Sequence, residues 1–388
     1  MPESKRLVDL VQSRIDEFLM SREPIVTLIS SDLTPLTDFS RQFLSGGKRF
    51  RAQFCYWGAQ SVRAADTGPN AGQSEAKTPA ATAGGRGAAS TAPVPLEAVV
   101  SAASALEIFH AAALVHDDII DNSDTRRGAP SAHKLFESLH ENEGWSGGPV
   151  TFGRASAILL GDLLLGWSDE LLDEGLDAVA DRPSARRARL EFNHMRTEVT
   201  AGQYLDILEE RAWLAQPESQ LLDRALRVIV YKSAKYSVQA PLVIGAALAG
   251  ASADQLSSLR AFGLPLGMAY QLRDDLLGVF GDAAVTGKPS GDDLTEGKRT
   301  VLIALARERL NDRDRQALDA QLGDPTLDQA QIRALQELIT ASGAVARVET
   351  LIAAQVAEAL NALETAPITA TARQTLLDLT DRVTRRAY

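Results

Sequence analysis

LEAVVSAASALEIFHAAALVHDDIID, from Leu96 to Asp121, repeats apolar residues at three- and four-residue steps and closes on three aspartates. That step belongs to an α-helix rather than a strand. Asp117 and Asp121 are four residues apart, so on a helix they share a face, where like charges repel by roughly a few tenths of a kcal/mol. They also stand at the C-terminal end, where the helix dipole disfavours negative charge. Carboxylates placed against both effects point to a cation, and hard oxygen donors point to Mg²⁺ or Ca²⁺. Taken alone, the same residues also fit a solvated acidic helix end.

Working outward, the helical step recurs almost everywhere. Leu7, Leu10, Val11, Ile15, Phe18 and Leu19 carry it to Pro24, which is read as the end of the first helix. It returns over Ala155–Leu172, Ala185–Glu210, Leu221–Ala251, Leu256–Val279, Thr300–Leu310, Asp328–Ser342, Ala344–Leu363 and Ala370–Arg386. Alternating strand patterns are scarce. The fold class expected is all-α, a single large bundle of mostly antiparallel helices in one domain spanning residues 1–388. One segment breaks the rhythm. From 64 to 95 the chain is rich in Ala, Gly, Pro, Thr and Ser, with Val94 its one large apolar residue. It buries too little to offset ordering entropy and reads as a disordered insertion between two helices.

The 388-residue chain carries a formal net charge of −11, which argues against nucleic acid and anionic membrane surfaces as partners. An anionic substrate must therefore be held locally, by clustered cations or metal ions. The lone cysteine, Cys55, allows no internal disulfide, and the start of the chain has no secretory pattern; both fit a cytoplasmic protein. No run of roughly 18 consecutive apolar residues occurs, so no stable membrane insertion is expected.

Three further segments bear on the aspartates. Asp124-Thr125-Arg126-Arg127-Gly128 sets paired guanidinium forks beside the first acidic cluster, a combination suited to a diphosphate held by metal on one side and arginine on the other. Gln271-Leu272-Arg273-Asp274-Asp275-Leu276-Leu277-Gly278 is a second acidic helix end, trailed by Lys288, Asp292, Asp293, Lys298 and Arg299. Gly46-Gly47-Lys48-Arg49-Phe50-Arg51 is a glycine turn through which the backbone can approach an anion, with cations to neutralise it. Glu209-Glu210-Arg211 reads as a solvated face.

Together and in this order, these segments resemble the trans-prenyl diphosphate synthases, the farnesyl and geranylgeranyl diphosphate synthase group. The resemblance runs from about Phe43 to Arg299. It implies a helical bundle around a deep cavity, commonly a homodimer, that condenses isopentenyl diphosphate with an allylic diphosphate. It implies Mg²⁺ as cofactor, three ions in all with Mn²⁺ as a substitute, on Asp117, Asp118 and Asp121 of the first motif and Asp274 and Asp275 of the second. Arg126, Lys232 and Lys288 are implied at the allylic diphosphate, and Lys48, Arg51, His110 and Arg127 at isopentenyl diphosphate. Ser233 keeps the hydroxyl of the family's Lys-Thr pair. Gln203 and Asp206 match a signature near the reacting carbons, and Lys298 a basic position closing over the site. Gln271 and the carbonyl of Lys232 are implied to steady the allylic cation. One departure is plain: the second motif usually ends in a third aspartate, and here that position is Gly278.

The helix before the first motif also suggests a length gauge. Ala112, Phe109 and Ala105 fall on one stripe, with Phe109 about one turn, roughly 5 Å, below Ala112. Family members blocked at the level of Ala112 stop at C15, so the resemblance implies a C20 product, geranylgeranyl diphosphate, for a stop one turn deeper at Phe109, with farnesyl as an alternative and a longer product if Phe109 is ordinary core. Two other readings share the acidic motifs, a class I terpene cyclase and a non-catalytic subunit of a heteromeric synthase. The basic residues assigned to a second diphosphate argue against the first, and the presence of both motifs against the second.

Overall fold

The computed structural model describes residues 2–62, 93–126, 128–281 and 290–384. Nearly all of it is helical. The expected insertion at 64–95, apart from its last three residues, lies outside the described residues, as do Arg127 and Lys288.

Helix α4 (Leu96–Ile120) is the axis of the bundle, with sixteen of its residues buried, from Ala98 to Asp118. A helix apolar on every side belongs inside a core. Its alanines and serines let neighbours come close. α6 (Pro149–Asp177) lies along it, with Gly175 against Ser101 and Ala98 and Gly161 against the His116 ring. His116 is thus a link between helices, its ring nitrogen 3.3 Å from the Ile158 carbonyl and 3.5 Å from Asp162. α1 (Pro2–Ile29) and α3 (Phe50–Gln60) pack on other faces of α4.

Pro24 does not end the first helix, which runs on to Ile29. Proline removes one N–H and frees the carbonyl four residues earlier. Pro24 and Met20 both face outward, so water can take up that carbonyl. Short helices α2 (Thr34–Phe43) and α5 (Ala132–Asn142) are absent from the sequence reading because two or three turns give too few repeats of the apolar step. Between α4 and α5 a small hairpin, β1 (Thr125–Arg126) with β2 (Ala129–Pro130), turns the chain back.

After α7 (Arg182–Ala212), the stretch read as one helix from Leu221 to Ala251 is three pieces: α8 (Leu221–Val228), a π-helix (Ile229–Gln239) and α9 (Ala240–Leu248). Pro241 offers no N–H to the ladder, and the Ala240 N–H reaches back five residues to the Lys235 carbonyl. α10 (Ala253–Phe280) packs against this π-helix and against α15 (Ala344–Thr365).

The remaining elements are α11 (Asp292–Glu296), α12 (Val301–Arg307), α13 (Asp312–Gln321), α14 (Gln329–Ala341) and α16 (Ala370–Thr384). α11 to α14 complete a second apolar cluster around Trp213, Leu276, Val301, Leu335 and Val348, whereas α16 packs into the larger one around α4 through Leu376, Leu379 and Val383. By length and composition, α4 and α6 both reach the span of a membrane, a test that a buried core helix also passes. The apolar window of α4 is 83% buried inside the bundle, that of α6 only 33%.

Candidate active site

The C-terminal ends of α4 and α10 open onto one cavity of about 860 Å³. Its wall gathers Lys48, Arg51, His110, Asp117, Asp121, Arg126, Gln203, Lys232, Ser233, Gln271, Asp274, Asp275 and Lys298. All of the described residues to which the sequence reading gave metal or substrate roles are on that wall except Asp118.

Asp118 points the other way. Its side chain is fully buried and receives Arg126 through Nε at 2.8 Å and through Nη2. Arg126 is also 3.8 Å from Asp117. A carboxylate closed in by a guanidinium is a brace for that arginine, which corrects the reading of Asp118 as a metal donor on the cavity wall.

Asp117 and Asp121 do face the cavity, as their four-residue spacing requires. Gln203 donates to Asp117 at 2.9 Å and Lys232 at 3.2 Å. Lys232 also reaches Asp206 at 2.5 Å. Lys298 sits 2.6 Å from Asp121, 3.5 Å from Asp206 and 3.3 Å from Glu210. Burial would raise the Asp117 pKa, but Lys232, Lys298 and Arg126 override it and hold the carboxyl well below its ordinary range. Asp121 goes the opposite way: burial, then the Asp117 charge, push it up to about 6 despite Lys298. Asp275, buried and receiving Gln271 at 2.8 Å, is pushed up to about 7 by burial above all. Asp274 is the exposed member of that pair, open to the cavity.

These values test the fit of a divalent cation. Among the described residues, no three acidic or histidine side chains converge closely enough to hold an ion as they stand. Lysine ammonium groups stand among the carboxylates instead. Asp121 and Asp275 hold their protons more firmly than usual, chiefly because they are buried, and Asp117 is kept ionised by the cations around it. The donors are hard oxygens, suited to Mg²⁺. The residues fit the ion.

The basic rim is built by a turn. Gly46 (φ 65°), Gly47 (φ 92°) and Arg49 (φ 49°) take left-handed backbone, which aims successive side chains in different directions. Lys48 stays exposed at the mouth, its carbonyl held by Gln53 at 2.6 Å. Arg49 turns inward to Gln12 at 2.7 Å and Glu107 at 3.3 Å, so it secures the turn to α1 and α4. Arg51 donates to Ser237 at 2.9 Å and lies 4.3 Å above the Tyr236 ring, whose hydroxyl is 2.9 Å from His110 Nδ1. Tyr236 is absent from the sequence reading. Only the π-helix, which puts Lys232, Ser233, Tyr236 and Ser237 on one wall, reveals it. Gly202 permits that wall to sit where it does: a Cβ there would lie 2.3 Å from the Lys232 nitrogen. The face expected to be solvated is also revised. Glu209 is buried against Arg224 at 2.7 Å, and Glu210 belongs to the Lys298 cluster.

The length stripe needs correction. The cavity wall on α4 is Glu107, His110, Ala113, Leu114 and Asp117, with Asp121 just past its end. Ala112 and Ala105 are fully buried in the core, because 100° per residue turns them well away from Asp117. Phe109 lies behind the wall, its ring edge-on to Phe192 at 5.9 Å and Tyr236 at 5.8 Å.

The sequence model of the polyprenyl synthetase family matches residues 34–339. Among solved structures, a geranylgeranyl pyrophosphate synthase of Corynebacterium glutamicum, complexed with isoprenyl diphosphate and magnesium, is 36% identical. It superposes with a TM-score of 0.86 over 98% of this chain and 99% of that one. A short chain isoprenyl diphosphate synthase of Methanocaldococcus jannaschii is 29% identical over 64% of this chain and 67% of that protein. A geranylfarnesyl diphosphate synthase of Natronomonas pharaonis is 30% identical over 75% of this chain and 76% of its own. Relatives named for different products thus stand at similar distances.

Proposed function

The chain belongs to the polyprenyl synthetase family, and on that premise we propose that it condenses isopentenyl diphosphate with C5 to C15 allylic diphosphates into a short-chain all-trans prenyl diphosphate, geranylgeranyl diphosphate in particular. One observation carries the reading: two acidic helix ends, the first of them paired with Lys232 and Lys298, line a single cavity whose mouth is basic. That arrangement accommodates two diphosphates, which a cyclase acting on a single diphosphate would not need.

Asp117, Asp121 and Asp274 would hold Mg²⁺, with Asp275 beside them; three ions, replaceable by Mn²⁺, are the proposed complement. When bound, the metal neutralises charge on the leaving diphosphate. Arg126, Lys232 and Lys298 would take the remaining phosphate oxygens. Arg51, His110 and Lys48 hold isopentenyl diphosphate at the other end of the wall. The allylic C–O bond breaks, and its electron pair leaves with the diphosphate. Gln271 and the Lys232 carbonyl face the cationic carbon with their dipoles. The double bond of isopentenyl diphosphate attacks that carbon, and the released diphosphate takes the proton then lost.

Product length is set where the cavity stops. Ala113 lines the wall, and one turn deeper Phe109 closes the interior between Phe192 and Tyr236. A homodimer is also proposed, formed on the exposed side of α6, where Ile158 and Leu159 are 45% and 64% exposed. Isolated apolar residues on a surface are ordinary, but a helix with an apolar window two-thirds uncovered calls for a partner.

The deciding experiment incubates the pure protein with Mg²⁺, isopentenyl diphosphate and each allylic diphosphate in turn, with products identified by mass. Geranylgeranyl diphosphate is expected from all three starters. Failure to consume isopentenyl diphosphate would sink the reading and leave a cyclase in its place.

A further inference from the structure

α10 presents Gln271, Asp274, Asp275 and Gly278 to the cavity. Glycine weakens a helix, and the backbone at 278 does not ask for one, since Gly278 is not among the residues with positive φ. The space beside it is filled by a carboxylate. A Cβ built on Gly278 would lie 2.0 Å from Asp293 Oδ2, 2.3 Å from its Cγ and 2.7 Å from Oδ1. Any side chain at 278 and the present placement of Asp293 exclude each other.

Asp293 is delivered there by a well-anchored turn. Its carbonyl accepts the N–H groups of Gly297 at 3.1 Å and Lys298 at 3.0 Å. The next residue, Leu294, is fully buried, and its carbonyl accepts the Gly323 N–H at 2.9 Å. The segment that brings Lys298 to Asp121 therefore also seats Asp293 on Gly278, and both Asp293 and Gly278 line the cavity.

We propose that Asp293 supplies, from a different element, the carboxylate that the second acidic motif lacks at position 278, and that Gly278 is the opening that admits it. The second motif then draws its oxygen donors from two elements, Asp274 and Asp275 from α10 and Asp293 from α11, which would close on an ion only when one binds. This rests on the metal-dependent reading above, in which oxygen donors on the α10 side hold a divalent ion and its diphosphate.

Three variants test it: Asp293→Asn, Gly278→Asp and the double variant. Binding of Mn²⁺ in the presence of inorganic diphosphate is followed by the electron paramagnetic resonance of the free ion, with melting temperature as the check on folding. Asp293→Asn, isosteric and uncharged, is expected to weaken Mn²⁺ binding roughly tenfold or more. Gly278→Asp alone is expected to bind poorly, since two carboxylates claim one space. The double variant, with its carboxylate returned to α10, is expected to recover most of the wild-type affinity. Unchanged Mn²⁺ binding in Asp293→Asn, or a double variant that binds no better than Asp293→Asn, overturns the proposal. A wild-type chain that does not consume isopentenyl diphosphate would instead refute the parent reading, so the two failures are distinguishable.

Discussion

Asp121 and Asp275 hold their protons unusually tightly, at about 6 and about 7 against an ordinary 3.8, because burial outweighs the cations nearby. Both carboxyls bind a proton more firmly folded than unfolded. Between about pH 4 and pH 7 the folded state therefore carries more protons, and their contribution to stability falls as pH rises. The metal-free melting temperature is expected to decline across that window. Asp275→Asn, which keeps an oxygen for Gln271, should flatten the decline, and a scan showing equal slopes would contradict the assignment. Metal requires the ionised forms, so adding Mg²⁺ with diphosphate at pH 6.5 should release protons, measurably more than at pH 8.5. The three carboxylates of the first motif were legible in the sequence as residues. Their division of labour was not. Asp118 is sealed against Arg126 while Asp117 and Asp121 face the cavity, because a helix turns by 100° per residue and only the neighbours determine which side is open.

At the scale of elements, the π-helix between α8 and α9 does most to shape the wall. It sets Lys232 and Tyr236 on the cavity, and Gly202 of α7 lets it approach. Gly202→Ala would put a methyl group 2.3 Å from the Lys232 nitrogen. That overpacking is expected to cost about 1–3 kcal/mol in urea unfolding and to slow turnover by moving Lys232. A variant with unchanged stability and unchanged kcat would show that the contact relaxes freely. α4 makes a second prediction. Phe109→Ala removes the ring packed on Phe192 and Tyr236 and opens the interior below Ala113. Products longer by at least one isoprene unit are expected by mass. An identical product spectrum would remove Phe109 from the length gauge. Apolar periodicity located the long helices here because many turns average over local irregularity. It missed the π-helix because widening a ladder by one residue leaves the sequence apolar and helical. It missed α2 and α5 because two or three turns carry little signal.

For the whole molecule, the open side of α6 is the feature with consequences beyond the site. Ile158→Glu with Leu159→Glu is expected to convert a dimer to a monomer in sedimentation velocity, with the helical signal retained. A wild-type chain already monomeric would refute the proposed interface. The sequence by itself determined the all-helical class, the family, and the carboxylates and cations that meet in the cavity. Those follow from residue type and short spacing, which a helix converts to geometry without help from the rest of the chain. Tertiary structure decided which residues of each motif face the cavity, that Arg49 secures the turn while Arg51 meets Tyr236, and that Ala113 rather than Ala112 lines the wall. It also decided that Asp293 fills the space left by Gly278. Each of these depends on how one helix is rotated against another, and that rotation is set by packing among residues distant in the chain.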